Sequence, residues 1–202
     1  MSLAVSASST LTRRHGYSFA PIPVSIPTHH PRTLDKSKSI CYLTTMNHLL
    51  IDNEFLTELK NQIKIAQKRI YAIIFLTYIH KNRKVDDSRD IRDMLVEAKK
   101  RGIDVRIIIN RMLKRGLFKN QNSEFAKNLY SNGIVTVVTD TRRTTHAKVW
   151  LFDNDRVIIG SHNLTGSSLH SNREMSILVE DPSINNILAE YIEKQIFETI
   201  TR

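Results

Sequence analysis

The chain has 202 residues, 41% of them hydrophobic, with 30 Lys and Arg against 20 Asp and Glu, a formal charge of +10 and a pI near 9.8. That length suits one well-buried domain and excludes two of ordinary size, and the single Cys41 excludes an intrachain disulfide and fits a reducing, cytoplasmic setting. No apolar run approaches the roughly 20 residues of a spanning helix, while the basic excess favours polyanionic partners, nucleic acid or an anionic membrane surface.

Residues 1–45 stand apart. Residues 1–34 hold no Asp or Glu, many Ser and Thr, and Pro21, Pro23, Pro27 and Pro31. Proline at this density blocks helix and central strand alike, so a disordered or loosely attached arm is expected. Arg13, Arg14 and Arg32 without acids make an organelle transit segment the alternative to a cytoplasmic protein, and a start at Met46 is a third reading. Cys41 with His48, and His29 with His30, lack the paired-cysteine spacing of zinc sites, so no metal is expected there.

The domain over 46–202 opens with a helix capped by Asp52 or Asn53, with Leu56, Leu59, Ile63 and Ala66 inward. Lys60, Lys64 and Lys68 share its other side as a solvated face, with a phosphate-tracking stripe as the alternative. A strand over 69–78 is apolar on both faces, hence central. Ser88 or Asp90 starts a helix burying Ile91, Met94, Leu95 and Ala98, stopped by Gly102, and 105–109 is the next buried strand. The basic loop 110–122 carries Arg111, Lys114 and Arg115 at a strand's carboxyl end, where open α/β sheets place ligand sites, with Phe118 as a packing or stacking residue. A short helix over 123–131 ends at Gly133, and 135–138 is another strand. Arg142 and Arg143 then lead into the stretch that organises the rest.

That stretch reads His146-x-Lys148, four residues, Asp153, six residues, Gly160-Ser161-x-Asn163. Val149, Leu151, Val157, Ile158 and Ile159 have strand character, and 153–156 (Asp-Asn-Asp-Arg) has turn chemistry, so a hairpin is expected. Alternation puts His146 and Lys148 on one face, and the turn after the second strand adds a hydroxyl and a carboxamide. Such a donor cluster with no acid among its members suits a phosphate. His146 can be a nucleophile if its second ring nitrogen is held by an acceptor, for which Glu174 is the best candidate. Lys148, Ser161 and Asn163 would hold the phosphoryl oxygens. No metal or other cofactor is needed to neutralise the phosphate. Beyond Asn163 a polar stretch precedes a strand over 175–179. Asp181 and Pro182 then start a final helix burying Ile184, Ile187, Leu188, Tyr191 and Ile196. The fold expected is α/β, a mixed sheet with helices on both faces.

The pattern from His146 to Asn163 resembles the HKD motif of the phospholipase D superfamily, and 171–174 (Ser-Asn-Arg-Glu) is similar to that family's trailing glutamate segment. The resemblance covers about 48–202. It implies a phospholipase D-like fold, with His146 as the nucleophilic or acid histidine and Lys148, Ser161 and Asn163 as phosphate ligands. It further implies Glu174 as the histidine's partner and Asp153 as a hairpin support. The family's reaction uses two histidines, and this chain has one motif, so the resemblance implies a homodimer with its active site at the interface. The function expected is a metal-independent phosphodiesterase, an endonuclease on DNA or RNA acting through a phosphohistidine. Arg142, Arg143, Arg111, Lys114 and Arg115 would be its weaker substrate contacts. The alternative is a phospholipase D or phosphatidyltransferase acting on phospholipid, which would need an apolar loop or amphipathic membrane helix.

Overall fold

The computed structural model describes residues 47–80, 82, 84–112, 120–139 and 143–201. The arm of residues 1–45, Cys41, Lys114, Arg115, Phe118 and Arg142 lie outside the described residues. In chain order the elements are β1 (Asn47–Ile51), α1 (Glu54–Ile65), β2 (Arg69–Ile74), α2 (Asp87–Lys100), β3 (Asp104–Ile109), α3 (Gln121–Ser131), β4 (Val135–Val138), β5 (Val149–Phe152), β6 (Arg156–Gly160), α4 (Gly166–His170), β7 (Met175–Glu180) and α5 (Pro182–Ile200). The strands form one sheet in the order β1-β7-β6-β5-β2-β3-β4. β2, β3 and β4 run parallel, and the remaining pairs run antiparallel. The expected mixed sheet with helices on both faces is what forms.

Alternation along the central strands sorts the core into two layers. Ile70, Ala72 and Ile74 of β2 join Phe55, Leu59, Ile91, Leu95, Phe125 and Leu129 under α1 to α3. Tyr71 and Ile73 face the other way, with Val149, Leu151 and Val157, beneath Ala189, Ile192 and Ile196 of α5. Strands buried on both faces read as unbroken apolar runs, which is why β2 and β3 were legible from composition.

α4 forms within the stretch expected only to be polar, and α2 is capped by Asp86 rather than by Ser88 or Asp90; three further elements differ from expectation. β1 was not foreseen, because a five-residue edge strand half open to water carries little pattern. β2 ends at Ile74 rather than at residue 78, because the chain beyond it takes other partners. Thr77 bridges Leu164, and the buried Asn122 of α3 donates to the carbonyls of Phe75 and Asn110, each at 2.8 Å, while accepting from the Thr77 amide. The third difference is the rotation of α5. Leu188 and Ile196 face inward as expected, but Ile184 is 37%, Ile187 67% and Tyr191 52% exposed. Asn185 takes the inward place, donating to the carbonyls of Phe152 and Arg156 and accepting from Arg69 Nη2. A polar staple, not the apolar stripe, sets the helix's rotation.

The β5–β6 turn shows how the hairpin is held. Asp153 sits at φ +51°, a conformation aspartate tolerates. Its Oδ1 accepts from the amides of Gln67 and Lys68 at 2.9 and 2.7 Å, and its Oδ2 pairs with Arg156. Burial alone would raise its pKa, but these donors and the Arg156 charge outweigh it and hold the carboxyl below its ordinary range. Asp153→Ala should therefore destabilise the fold by about 2–4 kcal/mol at neutral pH, since hydrogen bonds to a charged group contribute roughly 1.5–3 kcal/mol each. Because the folded-state pKa is depressed, this stabilisation is present above the unfolded-state value and lost as pH falls through the folded one. Urea titrations at pH 7 and in acid should show the gap between variant and wild type narrowing on acidification. A gap that is absent at neutral pH would remove Asp153 from the stability of the turn.

Candidate active site

His146 and Lys148 lie in the extended segment that enters β5, at the end of the sheet where β2 and β3 finish. The buried Asn110, just past β3, accepts from the Thr145 amide at 3.0 Å and so anchors this segment. The ammonium of Lys148 lies 3.3 and 3.4 Å from the two ring nitrogens of His146 and donates to its carbonyl at 2.8 Å. Beneath both is Phe75. Its ring centroid is 4.3 Å from that of the imidazole and 4.5 Å from Lys148 Nζ. A cation over an aromatic face is held electrostatically while its stem stays in apolar contact. Partial burial draws the Lys148 ammonium below its ordinary pKa, and the negative charge of Glu174 opposes that drop.

The second group comes from the β6–β7 end. Ser161 and Ser168 donate to the two oxygens of Glu174, the latter at 2.8 Å, with Asn172 Nδ2 on Oε1 at 3.1 Å. Burial would raise the Glu174 pKa, but the Ser161, Asn172 and Ser168 donors outweigh it and keep the group a carboxylate. Ser168 is presented by α4, whose N-cap Thr165 accepts from the Ser168 amide, and Ser168 Oγ also receives the Asn163 amide at 2.8 Å. Asn163 Oδ1 is buried without a hydrogen-bond partner among the described residues. An orphaned acceptor of this kind costs about 1–3 kcal/mol, and a catalytic or binding role is one of the reasons a fold retains one.

The structure thus brings His146 to Lys148, and Ser161 to Glu174, with Asn163 tied to the second pair through Ser168. The hydrogen-bond partners of Glu174 are these residues, and His146 is not among them: within one chain the expected imidazole–carboxylate pair is not made. Asp153 lies at the far turn of the hairpin, bonded to the start of β2. Arg143 lines the same cavity as His146, about 600 Å³ in volume, together with Tyr191, Gln195 and Glu198. Arg111 is exposed just beyond β3. Lys60, on the lysine face of α1, is spoken for by Asp87 and Asp90 at 2.5 and 3.3 Å.

Two contributors escaped the sequence reading. Phe75 looked like one more residue of a buried strand, and nothing local marks it as the floor of the site. His162, the variable residue between Ser161 and Asn163, is buried and stacks on Phe55 at 4.2 Å. Its Nε2 donates to the Asp52 carbonyl at 2.8 Å, which fixes the tautomer and leaves Nδ1 to accept from Ser176 Oγ at 2.7 Å. Burial holds its pKa below the ordinary histidine value. Asp52 in turn accepts from the Glu174 amide at 2.9 Å, so His162 couples the β1–α1 turn to the Ser161–Glu174 pair.

Among the described residues no cluster of His, Cys, Asp and Glu could hold a metal ion, and no helix is long and apolar enough to cross a membrane.

Residues 59–196 match the family model described as cardiolipin synthase, PLD-like domain. Over 105 residues, 51% of this chain, the sequence is 33% identical to a cardiolipin synthase of Halalkalibacterium halodurans, of whose length it spans only 20%. Among solved structures, the chain superposes on Nuc from Salmonella typhimurium, a phospholipase D family member, with a TM-score of 0.62 at 21% identity, covering 76% of this chain and 96% of that one. NucT from Helicobacter pylori gives 0.59 at 19% identity, with coverages of 77% and 97%. A phosphatidylserine synthase of Haemophilus influenzae gives 0.56 at 15% identity, covering 76% of this chain and 39% of that one.

Proposed function

This chain belongs to the phospholipase D superfamily, whose members are phosphodiesterases and phosphotransferases, and from that premise we propose that it is an endonuclease cleaving DNA or RNA as a homodimer. In the proposed reaction a ring nitrogen of His146 attacks phosphorus, forming an N–P bond as the P–O bond to the leaving group breaks. Lys148 would meet the non-bridging oxygens and the Asn163 carboxamide would supply a neutral donor, while the Ser161 hydroxyl, whose single proton goes to Glu174 in the free chain, would have to turn from the carboxylate to join them. The leaving oxygen takes its proton from the histidine of the second chain. That histidine then removes a proton from the water that hydrolyses the phosphohistidine, restoring both imidazoles. Glu174, free of His146 within its own chain and kept anionic by three donors, would orient the partner's imidazole across the interface.

One observation carries the choice of substrate: the +10 charge of the chain. A polynucleotide offers a row of phosphates to such a surface, and the attraction weakens steeply with salt. Arg143, in the cavity beside His146, would hold a neighbouring phosphate. The residues suggested alongside it, Arg111, Lys114, Arg115 and Arg142, would extend that contact. The second reading, phospholipid cleavage or phosphatidyl transfer, draws on the 33% identity to a cardiolipin synthase.

A panel of single- and double-stranded DNA, RNA, phosphatidylcholine and cardiolipin, incubated with the protein in excess EDTA, separates the two. Release of oligonucleotides, falling as salt rises, is the expected result. Turnover of lipid alone would replace the nuclease reading, and cleavage only when a divalent metal is restored would overturn the metal-independent mechanism.

A further inference from the structure

Among the described residues, the sheet face beneath α5 is only half covered. Ala189, Ile192 and Ile196 sit over β2, β5 and the start of β6, and the buried core of that face stops there. The strand register carries the same face onward. Val149 pairs with Ile159, Ile159 with Ile177, Ile177 with Leu49 and Met175 with Ile51, so all of these side chains point to the α5 side. Yet Leu49 is 51% and Met175 63% exposed, and Ile51 and Ile159 are exposed as well. Beside this floor runs the outer stripe of α5, Ile184, Ile187 and Tyr191, spaced three and four residues apart and likewise exposed. Floor and stripe together form one apolar step. An apolar patch of several hundred Å² is about the largest a monomer ordinarily exposes and often marks an interaction site, and a stable interface buries roughly 800 Å² per partner.

We propose that the bare sheet end (Leu49, Ile51, Ile159, Met175) and the outer stripe of α5 (Ile184, Ile187, Tyr191) are two halves of one self-complementary interface, each seating its counterpart from a second copy of this chain. A sheet face is ordinarily covered by helices, and among the described residues the outer stripe of α5 is an apolar helix face left without such a partner. A two-fold axis makes both contacts at once and closes the pair, as isologous dimers require. None of the seven residues is charged, so the seam itself sets no like charges against each other. Tyr191 also lines the cavity that holds His146, so the seam runs into the site from which the second histidine is missing. For its catalytic consequence the proposal rests on the shared-site reading given above; for the interface it does not.

The test uses the full chain and two variants on opposite halves of the step, Ile187→Glu and Leu49→Lys, with circular dichroism confirming that each folds. In analytical ultracentrifugation the wild type should be a dimer and each variant a monomer at the same micromolar concentration. An equimolar mixture of the two variants should recover dimers, since one seam is then native and the other opposes Glu to Lys. Variants that stay dimeric like wild type would overturn the interface. So would a wild type that is monomeric but binds vesicles of anionic phospholipid, with binding lost in both variants, because the step would then be a membrane face. Dimers that behave as expected yet cleave nothing in EDTA would leave the interface standing and retire the nuclease reading.

Discussion

His146→Ala is expected to lower the turnover of phosphodiester cleavage by at least about 10⁴-fold while changing substrate affinity only a few-fold. The asymmetry follows from what the side chain does. Its imidazole is exposed and, among the described residues, meets the Lys148 ammonium and the face of Phe75, so removal opens no cavity in the core. A nucleophile contributes only as its bond to phosphorus forms, whereas the affinity for a polyanion comes from basic residues spread over the surface. Single-turnover cleavage with filter-binding affinities separates the two. If the site is shared, the variant should also poison the wild type. With a roughly ninefold excess of variant and random pairing, about one wild-type chain in ten keeps a wild-type partner, and activity per wild-type chain should fall accordingly. Full activity per wild-type chain under those conditions would show that one histidine suffices. Loss of binding as large as the loss of turnover would mean that His146 holds substrate rather than attacks it.

What could be read from the sequence, and what could not, divides along a physical line. His146, Lys148, Ser161, Asn163 and Glu174 were legible because their chemistry is in the side chains and their spacing is set by a hairpin that the strand and turn residues themselves announce. The central strands were legible because burial on both faces leaves no polar position. The supporting parts were hidden because they depend on contacts between distant segments. Phe75 floors the site only because β2 lies beside β5. Asn122 ties the ends of β2 and β3 from a helix nearly fifty residues away from Phe75. His162 looks like a spacer until the β1–α1 turn is brought to it. The rotation of α5 was misread for a related reason. Two faces of that helix are apolar, and pattern alone cannot say which one a buried asparagine will turn toward the sheet.

These supports make the site's second half a matter of sheet geometry, and Gly160→Ala is expected to break it. Gly160 pairs with Ser176 where β6 meets β7, and the two backbones approach closely there. A Cβ on Gly160 would lie 2.0 Å from Ser176 Oγ and 2.5 Å from both the Met175 carbonyl oxygen and Ser176 Cα. The hydroxyl could turn away, at the expense of its bond to His162 Nδ1. The carbonyl and the Cα are main chain and cannot. The strands must therefore part at the point from which Ser161, Asn163 and Glu174 are displayed. The Ser161 amide donates to that same Met175 carbonyl at 3.0 Å, so the first bond lost is one that places Ser161. Overpacking of a rigid site by one methyl costs about 1–3 kcal/mol, and more where backbone must move. For a domain of this size, a loss of about 3 kcal/mol would lower Tm by roughly 6–12 °C. Activity should fall further than stability alone explains, by about 10²-fold at temperatures where the variant is still folded, because an ångström of misplacement is enough for that. Adding Ser176→Ala relieves the side-chain contact but not the backbone ones, so the double variant should recover little of either loss. Thermal melts together with cleavage rates measured well below Tm give both quantities. A Gly160→Ala protein with unchanged Tm and full activity would show that β6 and β7 can separate here without disturbing the site.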